Sequence, residues 1–497
     1  MRFLDELRTR IPFSRGPRGD APAGNTFPQL PGAGVYHYLR ETAESKARIH
    51  LRLESDGRGL LLVNASRAFH LNPSAACMAY FNLEGHSEET IVQALARYFR
   101  VTKANARRDY QAFAGQMAVM TSPDEHCPIC ELDLETTAPF SDHPSAPYRM
   151  DLALTYRCNN ACAHCYNARP RQHPEISTGQ WINILDRLWE IGVPHIVFTG
   201  GEPTLRPDLP ELIAHAEANG QITGINTNGR RLKDKAFLQS LVDAGLDHAQ
   251  ITIESHDPAI HDAMVHGSGA SCAAGAWEDT LAGLKNVLST RLYVMTNTTL
   301  LRLNAPYLSQ TLDFLADLGV PTVGLNALIY SGRGLEVDTG IPEADLPPLL
   351  DLARAATTRR GQRLVWYTPT QYCHFDPIQL ELGVKGCTAA LYNMCVEPDG
   401  SVIPCQSYYQ AIGNVLLDPW ESIWNHELAV ALRERHNLPI ECRACALLIE
   451  CGGGCPLARQ ANPHLRPRTI YADIPGLHNQ PNPWNTPQVE SPTEEEL

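Results

Sequence analysis

Met150-Asp-Leu-Ala-Leu-Thr-Tyr-Arg-Cys-Asn-Asn-Ala-Cys-Ala-His-Cys-Tyr166 is the stretch that decides the fold. Met150 to Leu154 has strand length and is mostly apolar. The chain then enters a loop in which Cys158, Cys162 and Cys165 stand at CxxxCxxC spacing. Four thiolates complete an ordinary iron-sulfur cluster, so three in one loop leave one iron of a four-iron cluster free for another ligand. Spacing alone leaves a zinc site open as the alternative.

Downstream, His195-Ile-Val-Phe198 runs straight into Thr199-Gly-Gly-Glu-Pro-Thr204. This is the pattern of a buried strand ending in a tight glycine turn with an exposed carboxylate. Further candidate strands are Thr223 to Asn226, His248 to Ile253, Leu292 to Thr296 and Thr322 to Leu328. Between them Gln180 to Ile191, Leu209 to Asn219, Lys235 to Ala244, Gly275 to Leu288 and Leu308 to Leu318 carry helical apolar spacing. Strands alternating with helices predict an α/β fold: a parallel sheet curled into a partial (βα)6 barrel, with function at the carboxyl ends of the strands. The cysteine loop follows the first strand and Gly-Gly-Glu-Pro the second.

Composition bounds the rest. The chain has 497 residues, 43% of them hydrophobic, and a formal charge of −14. That length predicts two or three domains. The negative balance argues against nucleic acid as a partner. No apolar run is long enough to span a membrane, and the start, Met-Arg-Phe-Leu-Asp-Glu-Leu-Arg-Thr-Arg10, has charges where a signal peptide is apolar. The expected location is cytoplasmic, where closely spaced cysteines read as metal ligands rather than disulfides.

The expected organisation is a flexible arm over 1–33, a small α+β unit over 34–122, a linker over 123–146, the barrel over 147–360, a cysteine-rich region over 361–460 and a disordered Pro- and Asn-rich tail over 461–497. In the α+β unit, strands are expected around His50 to Leu53 and Leu60 to Asn64, then helices from near Asn72, His86 and Thr102. Cys127 and Cys130 have metal-ligand spacing but no second pair. Cys77 and Cys272 stand alone.

The cysteine loop and Gly200-Gly-Glu-Pro203 together resemble the radical S-adenosylmethionine (SAM) enzymes. The resemblance implies a four-iron, four-sulfur cluster on Cys158, Cys162 and Cys165, with the methionyl amine and carboxylate of SAM on the fourth iron. Gly200, Gly201, Glu202 and Pro203 would bind that amine, since glycines admit close approach and a carboxylate pairs with an ammonium. Asn228, in Asn226-Thr-Asn-Gly229, and Thr252 and Glu254, in Thr252-Ile-Glu-Ser-His-Asp257, match segments that line the cofactor pocket in the family, although Ser and Asp are commoner there. Asn-Gly is also a frequent turn pair, and a Thr or Glu at a strand end also caps helices. His164 is expected to shield the cluster rather than ligate it.

Cys442-Arg-Ala-Cys445-Ala-Leu-Leu-Ile-Glu-Cys451-Gly-Gly-Gly-Cys455, with Cys387 and Gly400-Ser-Val-Ile-Pro-Cys405 upstream, resembles the SPASM extension, which carries auxiliary four-iron clusters. By that pattern Cys387, Cys405 and Cys455, with Cys373 as fourth ligand, belong to one cluster, and Cys442, Cys445 and Cys451 to another. The pattern's seventh cysteine is lacking: none follows Cys455. One or two auxiliary clusters are therefore expected, the second completed by another ligand, by Cys395, or left with an open iron. Cys395 reads equally as a buried thiol in a strand, and zinc is the alternative for Cys442 to Cys455.

Residues 34–122 resemble the winged-helix-like peptide-recognition element of peptide-maturing enzymes, which adds a leader peptide to its sheet as a strand. The resemblances together imply an enzyme that reductively cleaves SAM to a 5′-deoxyadenosyl radical and modifies a ribosomally made precursor peptide, with a flavodoxin or ferredoxin as electron donor. Two rival readings are a radical SAM enzyme for a small molecule, tetrapyrrole or partner enzyme, and a non-catalytic iron-sulfur sensor using the winged unit on DNA.

Overall fold

The computed structural model describes residues 14–15, 28–41, 46–64, 67–121, 139–141, 144–266 and 275–461. Cys127, Cys130 and Cys272, most of the expected arm and linker, and the tail past residue 461 lie outside the described residues.

The amino-terminal unit is a five-stranded sheet, β1 (Ser14–Arg15), β2 (Gly34–Glu41), β3 (Lys46–Leu53), β4 (Gly59–Val63) and β5 (Arg67–Leu71), in that order and antiparallel throughout. Three helices follow, α1 (Pro73–Leu83), α2 (Glu88–Tyr98) and α3 (Lys103–Met120). Each starts where a short polar side chain accepts an otherwise unpaired amide: Asn72 from Ala75, Ser87 from Thr90 and Thr102 from Asn105. Ile49 and Leu51 of β3 and Leu61 and Val63 of β4 pack with Phe81 and Ile91 from the helices.

Alternate residues of β3 point the other way, and these are Arg48, His50 and Arg52. They are buried too, at 3%, 0% and 2% exposure, because that face docks on the barrel. Arg48 Nε donates to Asp247 at 2.9 Å and Arg48 also pairs with Glu217. His50 Nε2 meets the Gly220 carbonyl at 2.7 Å. Arg52 donates to the Ala146 carbonyl at 3.0 Å and lies over the Tyr148 ring.

The barrel sheet has ten strands. Six follow in sequence: β6 (Arg149–Thr155), β7 (His195–Gly200), β8 (Ile222–Thr227), β9 (His248–Thr252), β10 (Tyr293–Thr299) and β11 (Thr322–Asn326). The helices around them are α4 (Thr178–Glu190), α5 (Leu209–Asn219), α6 (Lys235–Asp243), α7 (Pro258–His266), α8 (Ala276–Leu288), α9 (Leu308–Asp317) and α10 (Pro347–Arg359). Within β6, Met150, Leu152 and Leu154 join the apolar layer with Trp181, Ile184 and Leu188 of α4. Asp151, Ala153 and Thr155 alternate to the inner face, which explains an acid inside an apolar run.

The sheet extends beyond the six expected strands. β12 (Arg363–Trp366) adds parallel to β11, and β13 (Asn393–Val396) adds parallel to β6 on the other side. β14 (Ser401–Ile403) and β15 (Gly413–Asn414) continue antiparallel. The order β12-β11-β10-β9-β8-β7-β6-β13-β14-β15 leaves the barrel open. The cysteine-rich region thus shares the barrel's sheet. Among the described residues no helix is long and apolar enough to cross a membrane.

Candidate iron-sulfur and cofactor site

The cysteine loop leaves β6 at the carboxyl edge of the sheet, and its backbone is tied down on three sides. Ala161 and Ala163 amides donate to the Val265 and Met264 carbonyls of α7 at 2.8 and 3.1 Å. Arg230 Nη1 donates to the Asn159 carbonyl at 2.8 Å and to Asn160 Oδ1 at 3.0 Å. Arg333 Nη1 reaches the Ala161 and Cys162 carbonyls, its amide donates to Cys165 O, and Arg171 holds the Cys158 and Asn160 carbonyls. Arg230 and Arg333 escape a sequence reading because they come from distant segments, although Arg230 directly follows Asn226-Thr-Asn-Gly229; Arg171, shortly after Cys165, lay beside the cysteine motif itself.

The loop brings the three thiols into one another's field. Burial pushes Cys158 up to about 12, helped by Glu202 and Cys165. Burial, then Cys165 and Cys158, pushes Cys162 well above its usual range. Water-poor thiols that repel one another as thiolates are a donor set suited to a multiply charged iron centre, which stabilises the deprotonated form.

The Gly-Gly-Glu-Pro turn is wedged against the start of that loop. Gly201 N donates to Thr155 O at 2.7 Å and Glu202 N to Arg157 O at 2.9 Å. A Cβ on Gly200 would lie 2.2 Å from Thr155 O, and one on Gly201 2.4 Å from Arg157 O. Gly200 also has φ +133°, so both positions need glycine. Pro203 opens a short 3-10 turn, Pro203–Leu205.

The carboxylate expected to be exposed is buried: Glu202 is 1% accessible. Its Oε1 accepts from Thr204 N (3.1 Å), Thr204 Oγ1 (2.7 Å) and Thr227 Oγ1 (2.6 Å), and its Oε2 from Asn228 N (2.8 Å). Burial raises its pKa, and these four bonds oppose the rise. Three of them crowd onto Oε1 and one falls on Oε2, which keeps an acceptor position open; through them Glu202 ties the end of β7 to the end of β8.

Asn228 joins the same network: its Nδ2 donates to Asn159 Oδ1 in the cysteine loop at 2.6 Å. Thr252 ends β9 opposite Asn297 of β10. Glu254, buried just beyond, meets His164 Nε2 with Oε1 at 3.0 Å and accepts from Thr299 N with Oε2 at 2.8 Å. His164 therefore links the cysteine loop to the end of β9. Its Nδ1 is buried without a hydrogen-bond partner.

The carboxyl-terminal cysteines fall in two places. Cys387, Cys405 and Cys455 all line a cavity of about 480 Å³. Burial and Cys387 raise the Cys405 thiol, and burial and Cys387 push Cys455 up to about 11. Cys442 is raised by burial and then Cys451; Cys451 by burial, with Cys445 adding. Gly452, Gly453 and Gly454 take φ of +57°, +78° and +66°, three left-handed residues that curl the chain between Cys451 and Cys455. Cys395 lies on β13, buried with Ala153, Tyr156 and Ile403. Among the described residues no three His, Cys, Asp or Glu side chains gather tightly enough for a single metal ion.

The lining of this cavity includes Leu62, Arg67 and Ala68 of β4 and β5, Asp151, Asn226, Gln250 and Asn326 of the barrel strands, and Leu328, Ile329 and Tyr330 beyond β11.

An open parallel barrel with a three-cysteine loop after its first strand, locked to a Gly-Gly-Glu-Pro turn after the next, defines an iron-sulfur protein of the SAM-cleaving class. Residues 152–315 match the radical SAM superfamily and residues 387–446 the SPASM iron-sulfur cluster-binding domain. Over 323 residues the chain is 31% identical to the PqqA peptide cyclase of Streptomyces rochei, covering 62% of this chain and 84% of that protein. It is 29% identical to mycofactocin maturase MftC of Mycobacterium tuberculosis (63% and 79% covered) and 27% identical to the Fe-coproporphyrin III synthase of Methanosarcina barkeri (65% and 84%). Its fold matches Streptococcus suis SuiB bound to precursor peptide SuiA, with a TM-score of 0.60 at 16% identity over 82% of this chain and 94% of that one. The chain belongs to the radical SAM superfamily, with a SPASM extension. Membership brings a four-iron cluster and SAM to the barrel and auxiliary iron-sulfur clusters to the extension.

Proposed function

We propose that this enzyme modifies a ribosomally made precursor peptide by hydrogen abstraction, forming a crosslink or another oxidised product. The observation that carries this is the single cavity whose lining joins Leu62, Arg67 and Ala68 of the amino-terminal sheet to Cys387, Cys405 and Cys455. β5 ends its sheet, and a peptide added along that edge would lead past Arg67 and Ala68 into the barrel. The wall suits a peptide: Asn226, Gln250 and Asn326 offer amides, and Arg149 is neutralised by Asp151 through bonds of 2.8 and 3.0 Å. The carboxylates of a tetrapyrrole would call instead for cations without partners; the coproporphyrin synthase relative is what favours that substrate.

Cys158, Cys162 and Cys165 hold the catalytic cluster in this reading, and Asn228, Thr252 and Glu254 face the nucleoside part of SAM. Glu202 sets the turn, the bare backbone of Gly200 and Gly201 receives the methionyl end, and Oε2 of Glu202, which accepts from Asn228 N alone, is the oxygen open to the ammonium. When bound, the cofactor pair supplies a carbon radical able to take hydrogen from an unactivated position. An electron donor of the flavodoxin or ferredoxin class reduces the cluster.

The test is anaerobic incubation of reconstituted full-length enzyme with SAM, dithionite and the short peptides encoded beside its gene. The expected products are 5′-deoxyadenosine and a peptide whose mass has changed. SAM cleavage with every such peptide unaltered defeats the peptide assignment. Absence of 5′-deoxyadenosine, with Cys162→Ala behaving identically, defeats the enzyme assignment.

A further inference from the structure

The seven carboxyl-terminal candidate ligands divide three and four, with Cys373 on the side opposite to that implied by the sequence pattern. The turn segment 370–373 is laid along the turn after α14 (Leu448–Cys451); the short helices before it are α11 (Trp420–Trp424), α12 (Glu427–Arg433) and α13 (Ile440–Arg443). Tyr372 N donates to Cys451 Sγ at 3.3 Å, and that sulfur lies 3.7 Å from Thr370 O. A Cβ on Gly454 would sit 2.7 Å from Gln371 Cγ, so the two segments touch. Glu343 fastens the far side, accepting from Gln371 N at 3.3 Å and meeting His374 Nδ1 at 2.6 Å. The Tyr372 hydroxyl accepts from Lys385 N at 2.9 Å. After burial, the largest influences on the Cys373 thiol are Cys451 and Cys442.

The other three thiols share the cavity wall. Cys387, Cys405 and Cys455 all line it, and Cys373, Cys442, Cys445 and Cys451 are absent from its lining. Cys395, the remaining candidate for a fourth place there, is turned into an apolar pocket, with its Sγ 3.6 Å from Val396 O. Arg435 and Arg459 stand beside Cys387, anchored to the glycine turn through the Gly452 carbonyl at 2.7 Å and the Gly454 carbonyl at 3.4 Å.

We propose that Cys373 completes the cluster held by Cys442, Cys445 and Cys451, and that the cluster on Cys387, Cys405 and Cys455 keeps one iron open to the barrel cavity for an anionic sulfur or oxygen of the substrate. A four-iron cluster with three thiolates has one exchangeable position, and this one faces the space where substrate lies. The two guanidiniums offset the charge an anionic ligand adds. The cysteine missing after Cys455 is replaced from upstream, and the vacancy moves to the cavity. This rests on the iron-sulfur assignment and on no particular substrate.

The experiment uses full-length protein carrying Cys158→Ala, Cys162→Ala and Cys165→Ala, so that only auxiliary clusters remain, with carbon-13 cyanide as probe and electron paramagnetic and nuclear double resonance as readout. One reduced cluster should couple to carbon-13 and the other should not. Cys405→Ala should abolish the coupling. Cys373→Ser should shift the resonance of the uncoupled cluster and leave the coupled one in place, and Cys395→Ala should change neither. Absence of coupling overturns the proposal, as does a Cys373→Ser change confined to the coupled cluster, a Cys373→Ser spectrum identical to its parent, or an effect of Cys395→Ala on either cluster. Absence of any iron-sulfur signal instead defeats the iron-sulfur assignment.

Discussion

Replacing Arg48 with methionine should loosen the amino-terminal sheet from the barrel while leaving both parts folded. The linear stem of methionine fills much of the space of the arginine stem, so the loss falls on charge rather than packing. Two charged hydrogen bonds disappear, to Asp247 and Glu217, each worth about 1.5–3 kcal/mol where water is excluded. Glu217 is 32% exposed, so its share shrinks to the surface range of at most about 1 kcal/mol. Asp247 is 16% exposed and keeps most of its share. The sum is about 2–4 kcal/mol, a shift of roughly 30- to 700-fold in the docking equilibrium. Hydrogen exchange on the full chain reads this directly: β3 amides and those of the Gly220 to Thr223 edge should lose protection by that factor, with the interior of β7 and β10 unchanged. Peptide turnover should fall while slow peptide-independent SAM cleavage persists. Asp247→Asn keeps the Thr223 N bond of 2.9 Å and should be strongly non-additive with Arg48→Met, because both remove one interaction. Unchanged β3 exchange in Arg48→Met, or simple additivity of the pair, would refute the docking argument.

Gly201→Ala forces a Cβ to within 2.4 Å of Arg157 O, a backbone clash of about 1–3 kcal/mol or more; iron analysis should show loss of the barrel cluster with the auxiliary iron retained. Arg230→Met removes the bonds to the Asn159 carbonyl and Asn160 Oδ1, and the barrel cluster should lose iron to a chelator faster than in the parent, as followed by absorbance. His50 is held down to about 4, chiefly by burial. A histidine whose folded pKa lies below its unfolded value of about 6.5 contributes no penalty above that pH and destabilises increasingly as pH falls toward 4, by roughly 3 kcal/mol in all. Denaturant unfolding of the apoprotein should show that loss between pH 6.5 and 4, and His50→Gln, which can still donate to Gly220 O, should remove the share of His50 while the shares of the buried His195 and His248, also held down, remain.

What could be read from the sequence was local chemistry. The cysteine spacings were legible because a loop must present several sulfurs to one cluster. The helices α1, α2 and α3 were legible because Asn72, Ser87 and Thr102 begin them within three residues of the amides they cap. The parts that escaped are set by segments far apart in the chain. β5, Arg-Ala-Phe-His-Leu, is only five residues long and lacks a clean polar–apolar alternation, so it does not stand out. β13 reads as one edge of a cysteine-rich region until it pairs with β6, more than two hundred residues earlier.

Glu202 shows most clearly why proximity in sequence misled. Between a glycine pair and a proline, a carboxylate is expected to project from a turn. Its burial is decided by Thr227 and Asn228, which belong to the next strand and supply two of its four donors. The same displacement governs Cys373: its sequence neighbour among the cysteines is Cys387, but the Tyr372 amide lies on Cys451. In both places the motif identifies the chemistry available, and the long-range packing determines which group is left free to use it. For Glu202 that free group is Oε2, with its single donor, beside the glycine backbone; for the auxiliary cysteines the proposed free position is the one facing the cavity on Cys387, Cys405 and Cys455.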